Sequence, residues 1–497
     1  MGTASASARA TVSRREVTGG EGYHGRVNDE RDGLAREAED ASRGSAVKLA
    51  AEVLSRLLGL ATTLLLIRGL GPSDFGAFGK LSLFALLLAE LGELGLQTLA
   101  SRALVAVSLS LGALVRARLV LVAGVGGAAI ASVGLAPVLS PLVLWFVLSG
   151  WGEFLGVALR CRGRRVAEAI LLLCLRAFGL VAAALVLAAA GGLEALAWSL
   201  AASTAPALLL GVVLLRRTNA GDGAAGADSG VGQVMREALP LAIHGGLVLL
   251  SPRVEFLVLS LLRGDRETGL FLAALRVYEF LNVVPAAVAA GAMPGLTREA
   301  VRGHGPVRSR SAWTLAFLAA PAAVGLGLVA PAVARLLLGE GHDAGAYAGT
   351  AAPLRLLSLA VPALFMNGLL LSALVAVGRA AWLPRLTAVR VLAALAMAVP
   401  LVSATGGLGA ALGITMAEWL LLLLAARACR AAAFAVELGR PLAWALVATL
   451  PMALAVFPVR DDLWLALPVG AALQLGAVAL ARKIASGRKS AGDLRYP

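Results

Sequence analysis

The sequence predicts an all-α polytopic membrane protein of about fourteen transmembrane helices, arranged as two six-helix lobes related by a pseudo-two-fold axis plus a C-terminal helix pair. Three observations lead there. Hydrophobic residues make up 59% of the 497 and charged ones only 15%, with mean hydropathy +0.84. Soluble domains average about 45–50% apolar and about 25% charged. Apolar runs of about 20 residues, enough to cross a bilayer as a helix, recur from residue 50 to 480. Arginines collect in alternate connections between those runs, the pattern of cytoplasmic membrane loops rather than of a nucleic-acid surface, despite the net charge of +14.

In chain order, residues 1–46 mix Ala, Ser, Gly, Arg and acids without an apolar core, so they read as a disordered cytoplasmic tail and not as a signal peptide. The N-lobe, 47–217, holds helices expected near 47–68, 79–100, 115–136, 141–160, 168–190 and 194–215. A polar linker, 218–237, leads to the C-lobe, 238–430, with helices near 239–262, 269–292, 312–338, 352–376, 383–403 and 407–428. Helices 13 and 14 occupy 431–482, near 441–458 and 463–481, and 483–497 form a cytoplasmic tail.

Connections after even-numbered helices carry the positive charge: Arg116 and Arg118, the cluster Arg160 to Arg165, Arg216 and Arg217, and later Arg298, Arg302, Arg308 and Arg310. Opposite loops such as Gly191–Glu194 and Ser403–Gly407 are short and poor in positive charge. The positive-inside rule therefore places both termini in the cytoplasm. Cys161, Cys174 and Cys429 lie in or beside spans without a CxxC pair, which suggests neither a disulfide framework nor zinc.

The two halves echo each other. Helix 2 opens with Asp74-Phe75-Gly76-Ala77-Phe78 and helix 8 with Glu267-Thr268-Gly269-Leu270-Phe271, both acid-x-Gly-x-Phe at the same place in their sets of six. Parallel repeats with the site between them are a common transporter plan. The turns Gly71, Pro72, Asp74 and Gly76, and Glu267 with Gly269, are the expected paired gates.

Charge at membrane depth concentrates in the first two helices of each half. An ionised side chain there costs roughly 2.5–3.5 kcal/mol on insertion scales, so it usually marks a pathway or a site. Arg56 follows Glu52 by four residues on one face. Glu90 and Glu93 share a face of helix 2, Arg253 and Glu255 sit in helix 7 beside Pro252, and Arg276 and Glu279 share a face of helix 8. Helices 3, 4, 6 and 14 carry essentially none at their centres. These charges either hold the bundle together as buried pairs or line a hydrated cavity for an anionic group. Arginine suits phosphate because its planar fork donates two parallel hydrogen bonds and stays charged when desolvated. Arg56, Arg253 and Arg276 are therefore the candidate anion contacts, with Glu52, Glu90, Glu93, Glu255 and Glu279 tuning them or carrying a coupling proton or cation.

Weaker features take plainer readings. His244 suits a packed, hydrogen-bonded histidine better than a titrating one. Snorkelling accounts for most of Arg176, Arg335, Arg355 and Arg390, and Glu418 fits helix–helix pairing or function equally. Enzyme chemistry is not indicated. Gly76-Ala77-Phe78-Gly79-Lys80-Leu81-Ser82 lacks the first glycine and the Ser/Thr of a phosphate loop, no loop has metal-ligand spacing, and no outer loop has room for a glycan-transfer active site.

The stretch Arg68-Gly69-Leu70-Gly71-Pro72-Ser73-Asp74-Phe75-Gly76, with Glu93–Leu104 closing helix 2, resembles the start of bacterial polysaccharide-biosynthesis flippases. Thr268–Ala274, Met293-Pro294, Leu374–Arg379 and Gly406–Ala411 are similar to later signatures of that family. The resemblance covers residues 47–430 and departs at Glu255, where aspartate is frequent, and at Phe271, where tyrosine is. It implies a Wzx-type oligosaccharide-lipid flippase of the multidrug/oligosaccharidyl-lipid/polysaccharide exporter superfamily. Such a protein would use two lobes around a central cavity to move a polyprenyl-(pyro)phosphate-linked glycan across the bacterial cytoplasmic membrane by alternating access. Lipid II-type flippase and cation-coupled small-molecule exporter are the alternatives on the same fold. The expected partners are the lipid-linked glycan, membrane lipids, and the glycan polymerase and glycosyltransferases of the pathway, with no cofactor, metal or nucleic acid, for a chain acting as a monomer.

Overall fold

The computed structural model describes residues 50–51, 53–93, 95–104, 110–132, 137–217, 230–338, 347–474 and 476, without the side chains of 102, 103, 125–132, 240, 244, 337 and 338. Glu52, the two tails, residues 218–229 of the linker and the His244 side chain lie outside that description. All regular elements among the described residues are helical.

The first group comprises α1 (residues 53–69), α2 (Pro72–Leu91), α3 (Leu96–Ala103), α4 (Leu111–Ser132), α5 (Leu139–Cys161), α6 (Arg165–Ala188) and α7 (Leu193–Arg216). The second comprises α8 (Val231–Leu250), α9 (Val254–Leu262), α10 (Asp265–Phe280), α11 (Val283–Arg302), α12 (Val307–Leu338), α13 (Ala351–Ser358), α14 (Val361–Ala376), α15 (Leu383–Thr405) and α16 (Gly407–Ala431). A final pair is formed by α17 (Gly439–Val456), packed on α12, and α18 (Leu463–Gln474).

Each of the fourteen expected spans has a helical counterpart, but four are interrupted. Span 2 divides into α2 and α3, span 7 into α8 and α9, span 8 into α10 and α11, and span 10 into α13 and α14 with a 47° bend. Among the described residues, nine helices are long and apolar enough to cross a membrane, ten if the bent pair counts as one. The C-lobe also begins earlier than expected: α8 is helical from Val231, so only the first part of the 218–237 linker is left to connect the groups. Gln233, Arg236 and Glu237 gave that turn a polar face that hydropathy alone read as linker.

The interruptions have local causes. Pro252 cannot donate to the helical ladder, and Ser251–Arg253 tightens into a 3-10 turn there. Between α2 and α3 the chain turns through Gly95 at φ 69°, a conformation that glycine adopts without the steric cost of a Cβ.

Lipid-facing and core helices separate by burial. Only 17% of the apolar window of α6 is buried, against 56% for α16 and 50% for α5, so α16 and α5 are central and α6 is peripheral. Leu185, Leu209, Leu392, Leu454 and Trp464 are all more than 60% exposed. Water would not tolerate that much apolar surface, whereas lipid favours it.

Candidate functional site

Among the described residues, the main contacts between the first and second groups of helices lie at two ends of the cavity between them. At the end where α1 turns into α2, α2 lies against α10. The approach depends on the repeated motif. A Cβ on Gly76 would overlap the Asp265 carbonyl and stand 2.7 Å from the Gly269 nitrogen, and a Cβ on Gly269 would overlap the Pro72 carbonyl. Thus the two copies of acid-x-Gly-x-Phe meet backbone to backbone. Lys80 of α2 pairs with Asp265 of α10 beside them, and the Tyr347 hydroxyl donates to the Leu70 carbonyl at 3.0 Å. Among the expected gate residues, Gly71 and Pro72 start α2, and Asp74 stands exposed in its first turn, where the positive end of the helix dipole favours an acid. Glu267 turns instead to α16, accepting the Gly407 N–H at 2.8 Å and capping that helix.

At the other end α3 and α4 pack on α8 through Leu96, Leu99, Leu114, Val234 and Ala238. Between the two contacts lies a cavity of about 770 Å³.

Arg56, Arg253 and Arg276 all line that cavity, together with Glu90, Glu93 and Glu279. The discontinuities bring several of them there: Glu93 falls in the α2–α3 break, Arg253 in the α8–α9 break, and Arg276 and Glu279 just before the α10–α11 break. A broken helix can place polar groups at membrane depth because the cavity solvates its free backbone ends. Arg253 satisfies one such end itself, donating from Nη1 to the Leu249 carbonyl at 2.9 Å. Arg276 is paired with Glu279 at 2.7 Å on its own helix.

Glu255 is not in the cavity. It is fully buried on α9, its Cγ against Gly413 of α16, on the opposite face from the anion candidates. A polar cluster inside the second group lies close by. Arg390 of α15 pairs with Glu418 of α16 at 2.9 Å and donates to the Ser251 hydroxyl at 2.8 Å and to the Ser251 carbonyl. Asn367 of α14 donates to Glu418 at 2.8 Å. Snorkelling therefore does not describe Arg390, which is 2% exposed and faces the interior. Arg176 departs from that reading too, since it lines the main cavity from the middle of α6.

The cavity is also wider in origin than helices 1, 2, 7 and 8. From α4, α5 and α6 come Arg118, Glu153, Arg160, Glu168 and Arg176. Helices 3 and 4 thus do carry charge at depth: α4 starts at Leu111, earlier than hydropathy indicates, which turns Arg118 from a loop residue into a buried one. Glu153 was visible in the sequence as a lone acid between Trp151 and Phe154. Six arginines and five glutamates line the cavity, nearly balanced in charge, and Arg160–Glu168 and Arg276–Glu279 are already paired.

No family profile and no curated protein matches the sequence. Solved structures do match the fold. The structure described as lipid II flippase MurJ in an inward closed conformation aligns with TM-score 0.75 at 11% identity, over 88% of this chain and 99% of that one. An inward-facing multidrug resistance MATE family transporter of the MOP superfamily aligns with TM-score 0.61 at 16% identity, over 78% and 98%. A MOP superfamily transporter from Pyrococcus furiosus, described as having a binding pocket of reverse polarity, aligns with TM-score 0.52 at 16% identity, over 79% and 95%. The chain is an integral membrane protein with the flippase and exporter fold that these transporters share.

Proposed function

We propose that the protein is a flippase that translocates a polyprenyl-(pyro)phosphate-linked oligosaccharide across the bacterial cytoplasmic membrane by alternating access, with both termini cytoplasmic. The observation that carries the reading is the convergence of Arg56, Arg253 and Arg276 from three separate parts of the bundle on one cavity between two interlobe contacts. A pyrophosphate-linked glycan cannot cross about 30 Å of hydrocarbon unaided, because its head would lose its water. The arginines replace part of that hydration with charge-assisted hydrogen bonds, and the prenyl tail remains in lipid. Glu279 holds Arg276 in place when the ligand is absent, which lowers the cost of an empty cavity. Moving the anionic head outward gains roughly 2.3 kcal/mol per charge for each 100 mV of inside-negative potential.

The test is reconstitution in liposomes with a fluorescent short-chain prenyl-pyrophosphoryl glycan and an impermeant quencher. A hydrogen bond to a charged group is worth about 1.5–3 kcal/mol, so Arg253→Ala and Arg276→Ala should each slow flipping about tenfold or more. Native rates in Arg56→Ala, Arg253→Ala and Arg276→Ala alike would end the anion-site reading. A lipid II headgroup is the second reading, favoured by the alignment over 88% of the chain with the flippase described above. Competition between lipid II and the glycan carrier in the same assay separates the two.

A further inference from the structure

We propose that a chamber at the α3–α8 end of the cavity, formed by Glu90, Glu93, Glu153 and Arg118, selects a glycan headgroup whose sugar carries a free ammonium group. The proposal rests on the phosphate-lipid reading above and names the other end of the same ligand.

Three carboxylates surround the Arg118 guanidinium, and Arg253 reaches only one of them, Glu90. Glu90 comes from α2, Glu93 from the α2–α3 break and Glu153 from α5, and all three line the cavity. Glu153 is exposed within it, and the hydrogen bond it accepts comes from a neutral group, Gln97 Nε2 at 3.1 Å. Glu93 Oε1 is buried without a hydrogen bond among the described residues.

Arg118 neutralises them poorly. Its Nη2 stands 3.8 Å from Glu93, at the edge of ion-pair range, while Nε and Nη1 meet no acceptor among the described residues, although the side chain is 3% exposed. Its guanidinium is held by Trp151 and Phe154, with both ring centroids 5.1 Å away. Bare Gly150 leaves it room, since a Cβ there would come within 2.8 Å of Nη2. A buried guanidinium with unserved donors beside an excess of carboxylates is incomplete by itself. An amino sugar completes both parts. Its ammonium meets the carboxylates, and its neighbouring ring and hydroxyl oxygens accept from Arg118. An acetylated sugar leaves the acids unserved, and an acidic sugar is repelled by them.

The experiment compares two short-chain prenyl-pyrophosphoryl sugars, glucosamine and N-acetylglucosamine, binding to the full-length protein in detergent at near-neutral pH, where the amine is still largely charged and the carboxylates are not titrated away. The amine probe should bind about tenfold more tightly, a difference of about 1.4 kcal/mol. Glu153→Gln, at an exposed position, and separately Glu90→Gln should move that ratio toward one. Equal affinity for both probes in the native protein would overturn the proposal, as would a preference that neither variant reduces. Inorganic pyrophosphate is the second arm. If it displaces both probes, the phosphate reading stands whatever the headgroup result; if it displaces neither, that reading itself has failed.

Discussion

Arg390 and Glu418 are each less than a tenth exposed, and together they hold α15, α16 and the broken end of α8. Arg390 supplies donors to Ser251 where the helix ladder is interrupted, so it serves both as an ion-pair partner and as a cap supplied by another helix. Breaking a buried pair typically costs 3–5 kcal/mol because a charge is left without compensation. Arg390→Met should therefore lower the thermal unfolding midpoint in detergent sharply. Arg390→Met combined with Glu418→Met should recover part of the loss, since Glu418 is then not orphaned, while the buried Glu255 carboxylate nearby still lacks the Arg390 charge. A double variant less stable than the single one would contradict this account. At this scale the sequence showed partners close in the chain, such as Arg276 and Glu279, but not those supplied by other helices. Glu255 and Arg253 are two positions apart, yet Arg253 lines the main cavity and Glu255 does not. Side chains two apart on a helix point to different faces, and the neighbouring helices decide what each face meets.

Among the elements, α2 and α10 carry the clearest message. Their shared motif was legible as a repeat, and its glycines are where the two copies touch. A backbone approach this close admits no side chain at either position, so the contact forms or opens as a whole. Lys80→Cys with Asp265→Cys, bridged by a short cleavable thiol cross-linker, should abolish flipping in liposomes, and reducing the linker should restore it. Transport that continues through complete cross-linking would show that α2 and α10 do not separate during the cycle. The interruptions were less legible. Hydropathy windows average over the Gly92–Gly95 and Ser251–Arg253 breaks, because an interrupted span is still apolar along its length.

For the molecule as a whole, the two groups touch at both ends of the cavity, which makes alternation a matter of which contact opens. The α2–α10 contact includes an ion pair, whereas the side chains of the α3–α4–α8 contact are leucine, valine and alanine; bare glycine backbone meets the facing helix in both, at Gly76 and Gly269 in the first and at Gly95 against Leu241 and Ala242 in the second. Spin labels at Ser73→Cys and Arg266→Cys report the first contact, and labels at Thr98→Cys and Arg236→Cys report the second; all four positions are exposed. Addition of the lipid-linked glycan should lengthen one distance while the other stays short. Both distances lengthening together would indicate a channel rather than an alternating carrier.

Composition, span length and the arginine pattern sufficed for an all-helical membrane protein, because lipid imposes helix length and apolarity on each span separately. The acid-x-Gly-x-Phe repeat was likewise visible, since it is local in the chain. The cavity was not. Arg118, Glu153 and Arg176 join it from α4, α5 and α6, and Glu255 leaves it, through the way distant helices pack. Charge balance in a site is a sum over neighbours in space. A chain whose helices each carry one or two ionised residues leaves that sum undetermined until the helices are assembled.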